Sequence, residues 1–165
     1  MLTFAAVMAA LSNILSTEFL TIPFVIGLFV SRIHFSQLPI FLSGVLAGSW
    51  AGLLTGAIGG LYMAYSTRIP FIIGGLALLG FSAGFCAKRL KLRPLFSSIL
   101  AWCVQAPYVF VTDYVWFVYT GLMPPQGALT AVTTILVKLT VEAVVSSVLA
   151  EILAHYIRRA GLFSG

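Results

Sequence analysis

The sequence contains very little charge. Only 8% of its 165 residues are charged, whereas 61% are hydrophobic, and the mean hydropathy is +1.10. A water-soluble domain needs a polar surface that this composition cannot supply. Cysteine is also scarce, and Cys86 and Cys103 have neither metal-ligand nor redox spacing, so no metal site is predicted.

Catalytic motifs are absent as well. The sequence has no nucleophile elbow, zincin helix, phosphate-cradling loop or ATPase motif, and no nucleic-acid-binding motif. An enzyme would need ionisable groups within hydrogen-bond reach of a reacting centre, and Asp113 and Glu142 are the only plausible acids. We therefore predict a protein that is not an enzyme, has no cofactor, and depends on another subunit or an ion for any transport against a gradient.

What the sequence does contain is a series of hydrophobic runs. They cover residues 2–17, 19–30, 35–65, 69–87, 94–119 and 128–157. Runs of this length predict an all-α membrane protein with six transmembrane helices, in a single integral membrane domain over residues 1–165. The second run is short and contains Pro23, so it is expected to be tilted or partly interfacial.

Glycines in the third run form a regular pattern. They recur every four residues, at Gly44, Gly48, Gly52 and Gly56. This spacing places them on one helix face, and a face without side chains lets neighbouring membrane helices approach closely.

Basic residues mark one side of the membrane. They are concentrated in three connections, namely Arg32 with His34, residues 88–93, and Arg158 with Arg159. The positive-inside rule places all three connections in the cytoplasm, and six spans then put both termini there. We expect a multi-pass protein of the plasma membrane.

Ionisable residues far apart in the sequence are predicted to meet near the outer face. Counting 1.5 Å per residue from the basic connections places Lys138 and Asp113 near the outer boundary, with Glu142 one turn deeper. Asn13 and Glu18 lie at the outer end of the first run. Charged groups in a bilayer tend to face a cavity, a partner or each other, so the pattern indicates an outward-facing polar pocket.

The alternative interpretation is local. Lys138 and Glu142 are four residues apart and could form a simple structural pair. Asp113 could reach water at the interface, and Glu18 and Arg68 could be ordinary loop residues. The sequence leaves both interpretations open.

The fifth run adds aromatic side chains. Tyr114 and Trp116 lie at the predicted outer edge, where an interfacial aromatic belt accounts for Trp116. Tyr108 lies about two turns deeper and could stack on a flat ring. The candidate ligand-binding residues are Asn13, Glu18, Arg68, Tyr108, Asp113, Tyr114, Trp116, Lys138 and Glu142.

Two further segments resemble a known family. The first run contains Ala5-Ala6-Val7-Met8-Ala9-Ala10, in which small residues recur four apart twice, and residues 35–48 are similar to the start of that family's third helix. With six short helices, no motor and an outward polar pocket, the chain resembles the substrate-binding membrane subunit (S component) of energy-coupling factor (ECF) vitamin transporters. The resemblance covers nearly the whole chain.

The resemblance implies both a fold and partners. It implies an S-component bundle that binds a vitamin-like ligand near the outer face, and a complex with a transmembrane scaffold subunit and two cytoplasmic ATPases. The alanines Ala5, Ala6, Ala9 and Ala10 would dock onto the scaffold subunit, although packing within this chain is an alternative. No histidine near the N-terminus could bind nickel or cobalt, so a vitamin is expected instead of a metal.

The charges in the candidate pocket limit the ligand. Both signs are present, which favours a neutral, zwitterionic or weakly cationic heteroaromatic compound over a strong anion. Thiamine or its pyrimidine precursor is the first expectation; riboflavin, a pyridine vitamin, tryptophan and a queuosine precursor remain open. The alternative function is a non-transport membrane scaffold of the rod-shape-determining type, whose pocket would be filled by side chains.

Overall fold

Seven helices and one β-hairpin make up the part of the chain that the structure describes. The structure is a computed structural model that describes residues 1–17, 21–26 and 29–161, with the backbone alone at 22–26 and 29–32. The helices are α1 (Leu2–Leu15), α2 (Gln37–Ala47), α3 (Ser49–Gly59), α4 (Leu61–Thr67), α5 (Phe71–Lys88), α6 (Pro94–Tyr119) and α7 (Pro125–Arg159). The strands β1 (Ile22–Ile26) and β2 (Phe29–Ile33) pair antiparallel, with Ile22 opposite Ile33.

Three of the described helices are long and apolar enough to cross a membrane. These are α5, α6 and α7, with 18, 26 and 35 residues. Both α6 and α7 begin with a proline, which has no N–H to leave unpaired at a helix start. The other helices are shorter, with 14 residues in α1 and 11 each in α2 and α3.

The third hydrophobic run is not a single span, because it folds back at Gly48. This residue has φ 99°, a backbone conformation that favours glycine, and it separates α2 from α3. A Cβ added to Gly52 would lie 2.9 Å from the Cα of Gly44. In a continuous helix these residues would be about 12 Å apart. Helices α2 and α3 therefore form a tight helical hairpin.

The prediction that the second run is a helical span is wrong. Its residues contribute to the β1–β2 hairpin, and Pro23 is opposite Arg32 in the ladder. The run is shorter than a span needs, rich in residues that favour strands, and interrupted by proline, which disfavours a helix interior. The count of six main helices is still correct, because the span lost here is replaced by the division of the third run into α2 and α3.

Helix α1 lies alongside α3 and fixes the direction of the N-terminal half. The Thr55 hydroxyl donates to the Ala5 carbonyl at 3.2 Å, and the Ser12 hydroxyl donates to the Ser36 carbonyl at 2.9 Å. The C-terminal part of α1 is therefore next to the start of α2, and its N-terminal part points toward the Gly48 turn.

Several connections meet at one end of the bundle, here called the basic end. The Gly48 turn approaches the Lys88 side chain at the end of α5. The Glu151 carboxylate accepts a 2.8 Å hydrogen bond from the Leu95 N–H, so the C-terminal part of α7 caps the start of α6 there. Both termini of the described chain thus lie at the same end as residues 88–93.

The placement of His34 with the cytoplasmic connections is wrong. His34 precedes α2 and lies toward the opposite end of the bundle, here called the cavity end, where it contacts Lys138 and Glu142 of α7. The prediction counted two helical spans before His34, which would place it at the same end as the N-terminus. In the structure only α1 precedes it as a helix, because the second run contributes to the β-hairpin, so His34 lies at the other end.

Glycines allow the α2–α3 hairpin to pack against α5 at backbone distance. A Cβ on Gly44 would lie 2.7 Å from the Gly80 carbonyl oxygen, and a Cβ on Gly84 would lie 2.5 Å from the Ser49 nitrogen. The predicted close packing at these glycines is confirmed, but the prediction of a single helix face is wrong, because the turn at Gly48 leaves Gly44 in α2 and Gly52 in α3. The packing holds α5 against the hairpin and so positions one wall of the cavity described next.

Candidate functional site

A cavity of about 340 Å³ opens at the cavity end of the bundle. Helices α4, α5, α6 and α7 supply most of its walls, and residues between α1 and α2 complete them. Its lining includes apolar and aromatic side chains from α5, α6 and α7, here called the aromatic wall, namely Phe71, Ile72, Leu76, Tyr108, Ile135 and Leu139. Hydroxyl groups line much of the rest, from Ser16, Thr21, Ser66, Thr67 and Thr112.

The aromatic wall depends on two glycines. The Tyr108 hydroxyl donates to the Phe71 carbonyl at 3.3 Å, which holds its ring against α5. A Cβ on Gly75 would lie 3.4 Å from this ring, and a Cβ on Gly74 would overlap the hydroxyl. Small residues at these positions therefore leave the space that Tyr108 occupies beside the cavity.

A cluster of three side chains joins α7 to the start of α2. Glu142 is completely buried, and its Oε1 accepts a 2.9 Å hydrogen bond from the His34 backbone N–H. The same oxygen lies 3.5 Å from the Lys138 Nζ, and that Nζ is 3.3 Å from the His34 Nε2. Lys138 and His34 line the cavity, whereas Glu142 lies behind them.

His34 is uncharged in this environment. Burial, together with the nearby Lys138 ammonium, lowers the pKa of His34 to about 3. Because the ammonium can only donate, Nε2 is the accepting nitrogen of the neutral ring. Nδ1 then carries the proton and faces the Ser36 hydroxyl at 3.0 Å.

One face of α6 presents hydrogen-bond acceptors to the cavity. Gln105 and Asp113 are two turns apart on this face, and both line the cavity although they are only 3% and 5% exposed. Among the described residues, none forms an ion pair with Asp113, and the Gln105 Oε1 has no hydrogen-bond partner. This face can therefore accept hydrogen bonds from a bound molecule.

Comparisons with known proteins agree with this architecture. A family model described as "ECF-type riboflavin transporter, S component" matches residues 1–159. The chain belongs to this family. It is therefore a multi-pass membrane protein and the substrate-binding component of an ECF transporter, not an enzyme.

A solved structure supports the fold independently. It is described as "Structure and mechanism of the S component of a bacterial ECF transporter" and is 18% identical, with a TM-score of 0.57. The alignment covers 96% of this chain and 93% of the other. No curated protein matches the sequence.

The S component brings together only some of the residues predicted from the sequence. Lys138, Asp113 and Tyr108 line the cavity, and Glu142 supports Lys138 from behind. Lys138 and Glu142 form the pair that the sequence allowed, and the cavity lies beside that pair. Glu18 lies outside the described residues.

Asn13 has a structural role in this S component. Its amide nitrogen donates to the Ile58 and Ala9 carbonyls at 2.9 and 3.1 Å, and its oxygen accepts from the Tyr62 N–H at 3.0 Å. The side chain therefore fastens α1 to the junction of α3 and α4 instead of lining the cavity.

Three other predicted contacts also lie away from the cavity. Arg68, with φ 59°, borders a second, more open groove beside α4. Tyr114 stacks on Phe110 with 6.3 Å between ring centroids, and Trp116 packs edge-on against Phe71 at 5.7 Å. These aromatic pairs lie in the C-terminal half of α6, and Trp116 packs against the cavity residue Phe71 from behind.

The alanine pattern on α1 divides between two faces. Ala5 and Ala9 are buried, against α2 and α3, whereas Ala6 and Ala10 are exposed. Ala6 and Ala10 are therefore the pair that a helix of another subunit could contact.

Several cavity residues of the S component were not predicted. His34 was missed because its connection was assigned to the wrong side. The hydroxyl-bearing residues, such as Ser66 and Thr67, carry no distinctive sequence signal, because serine and threonine are common in membrane helices and loops. Gln105 had a weak signal, since a polar side chain in the middle of a span is unusual.

Proposed function

We propose that this S component captures riboflavin outside the cell and delivers it through a complex with a transmembrane scaffold subunit and two cytoplasmic ATPases. In this proposal the basic end lies in the cytoplasm with both termini, as the positive-inside rule requires, and the cavity end faces outward. The volume of about 340 Å³ falls within the range of small-molecule sites. The family model supplies independent support because its description names riboflavin.

The single observation that carries the proposal is that the cavity lining combines aromatic and aliphatic side chains with several hydroxyl groups. The wall formed by Phe71, Tyr108 and neighbouring aliphatic residues suits a flat tricyclic ring. The hydroxyl-lined part suits the polyhydroxylated ribityl chain. Ser66 and Thr67 already donate to the Met63 carbonyl, at 3.1 and 2.7 Å, so their oxygens remain available to accept from ligand hydroxyls.

The polar groups of the cavity also match the edge of the flavin ring. That edge alternates carbonyl acceptors with an imide N–H donor. Gln105 and Asp113 offer acceptors, and Lys138 offers a donor. The cavity is open rather than filled by side chains, which disfavours the rod-shape-determining scaffold.

Riboflavin replaces thiamine as the leading candidate. Thiamine, expected from the mixed charges alone, is a cation that would need an acid without a counter-ion. Asp113 meets that description among the described residues. Thiamine is therefore the competitor that a binding experiment must include.

Riboflavin binding can be measured directly by the loss of its fluorescence when it is titrated with purified protein in detergent. We expect saturable binding of one riboflavin per chain without ATP, and no displacement by excess thiamine. Asp113→Asn should weaken binding by about tenfold or more, because it removes a charged acceptor. Glu151→Gln is the matched control, since Glu151 caps α6 far from the cavity. Displacement by thiamine, or no riboflavin binding, would contradict the proposal.

The docking role of α1 is tested by Ala6→Trp. The isolated protein should bind riboflavin normally, because Ala6 is exposed and outside the cavity. Riboflavin uptake by cells that also express the scaffold subunit and ATPases should be lost, because a bulky ring prevents close helix approach. Val7→Trp, on the adjacent exposed face and 59% exposed at present, should retain uptake. Equal uptake by both variants would show that the Ala6 face is not the docking surface.

A further inference from the structure

Glu142 lies outside the cavity but contacts two residues that line it. Its side chain is completely buried, and its Oε1 is within 3.7 Å of the His34 Nδ1 as well as near Lys138. Among the described lining residues, Lys138 is the only lysine or arginine. The geometry of Lys138, the one lysine or arginine among the described residues of the cavity wall, is therefore influenced by a group that a ligand does not touch.

The contacts determine how much of the Lys138 ammonium is free. Of its three N–H donors, one can face the His34 Nε2 at 3.3 Å and one the Glu142 Oε1 at 3.5 Å. The third remains for the cavity. A partly buried ammonium next to a buried carboxylate also has its charge balanced locally, so little net positive potential extends into the cavity.

We propose that Glu142 is a positioning residue for ligand selection: it holds Lys138 in place and cancels its charge, so that the cavity presents an N–H donor to an uncharged acceptor and does not attract anions. The inference rests on the proposed function, because that function identifies this cavity as the ligand-binding site. According to this inference, the ligand group that contacts Lys138 is a neutral acceptor such as a carbonyl, and not a phosphate or a carboxylate.

The variant Glu142→Gln separates this role from simple structural support. Glutamine has nearly the same shape and can still accept from the His34 N–H, but it leaves the Lys138 charge unbalanced. Inorganic phosphate is the probe, compared with chloride at equal ionic strength. Relative to chloride, phosphate should raise the thermal unfolding midpoint of Glu142→Gln by about 3 °C or more beyond the general salt effect seen in the wild type, because it binds the folded variant.

Two further variants assign the effect to Lys138. In the double variant Lys138→Met with Glu142→Gln, phosphate should no longer produce this additional rise in the unfolding midpoint. The reason is that no lysine or arginine remains among the described residues that line the cavity. Glu151→Gln should respond like the wild type, since Glu151 is an acid of the same helix that caps α6. In Glu142→Gln, phosphate should also weaken riboflavin binding about fivefold or more by competition at Lys138.

The inference is overturned if phosphate affects Glu142→Gln and the wild type equally, or if the double variant keeps the response. A purely structural role for Glu142 would lower the midpoint in both salts alike, and the difference between phosphate and chloride would equal that of the wild type. The unfolding experiment uses no riboflavin. Failure of riboflavin to bind the wild type would therefore count against the proposed function alone.

Discussion

Replacing Gly56 by alanine is expected to lower the free energy of unfolding by about 3 kcal/mol, because the new methyl group would have no space. Gly56 of α3 faces α5, and a Cβ there would overlap the Leu76 carbonyl and lie 2.8 Å from the Ala77 nitrogen. These are backbone atoms within a helix, so they cannot move aside as the end of a flexible side chain could. The α2–α3 hairpin and α5 would have to separate.

The measurement is the thermal unfolding midpoint of purified protein in detergent, together with its elution as a single species. Gly127→Ala is the matched control. Gly127 lies in the first turn of α7, where a Cβ would approach no atom more closely than 3.5 Å. Alanine should be tolerated there or slightly stabilising, because glycine is the weaker helix former. Equal midpoints for Gly56→Ala and the wild type would show that the α3–α5 contact is looser than described.

Replacing Lys138 by methionine is expected to destabilise the protein by about 3–5 kcal/mol, since it leaves the buried Glu142 carboxylate without a counter-ion. Glu142 is completely buried, and among the described residues Lys138 is the only lysine or arginine within ion-pair distance of it. Riboflavin binding should be lost together with stability.

A second substitution separates these two effects. Adding Glu142→Gln to Lys138→Met removes the unpaired charge and should restore most of the stability, whereas riboflavin binding should remain weak. Urea or thermal unfolding and fluorescence titration on the same samples provide both readouts. If Lys138→Met alone is as stable as the wild type, the carboxylate is compensated by another group and the assigned pairing is wrong.

The topology shows which features of the fold hydropathy can predict and which it cannot. The average hydrophobicity of a run reports that a segment avoids water, but it does not report where the chain reverses direction. Residues 35–65 are apolar throughout, and the reversal at Gly48 depends on one glycine with positive φ and on contacts to α5. The assignments of the second and third runs were therefore both wrong, while the number of main helices and the shared side of the termini were correct.

Only part of the candidate site was predicted, because the sequence gives the position of a residue along its helix but not the direction that the residue faces. Lys138, Asp113 and Tyr108 were found because their depth follows from counting along α6 and α7, which are regular helices bounded by clear markers. Arg68 and Trp116 lie at the cavity end too, but they face other directions. Depth is a property of one helix, whereas facing direction depends on how each helix is rotated against its neighbours.

The sequence by itself determined the membrane environment, the close packing at the glycines and the resemblance to S components. These follow from local hydrophobicity, the positions of a few charges and residue spacing, all of which are properties of short segments. Only the tertiary structure decided that His34 lies beside Lys138 and Glu142, and that Ala5 and Ala9 are buried while Ala6 and Ala10 are exposed. Those contacts join segments up to 108 residues apart, and close packing between helices sets them.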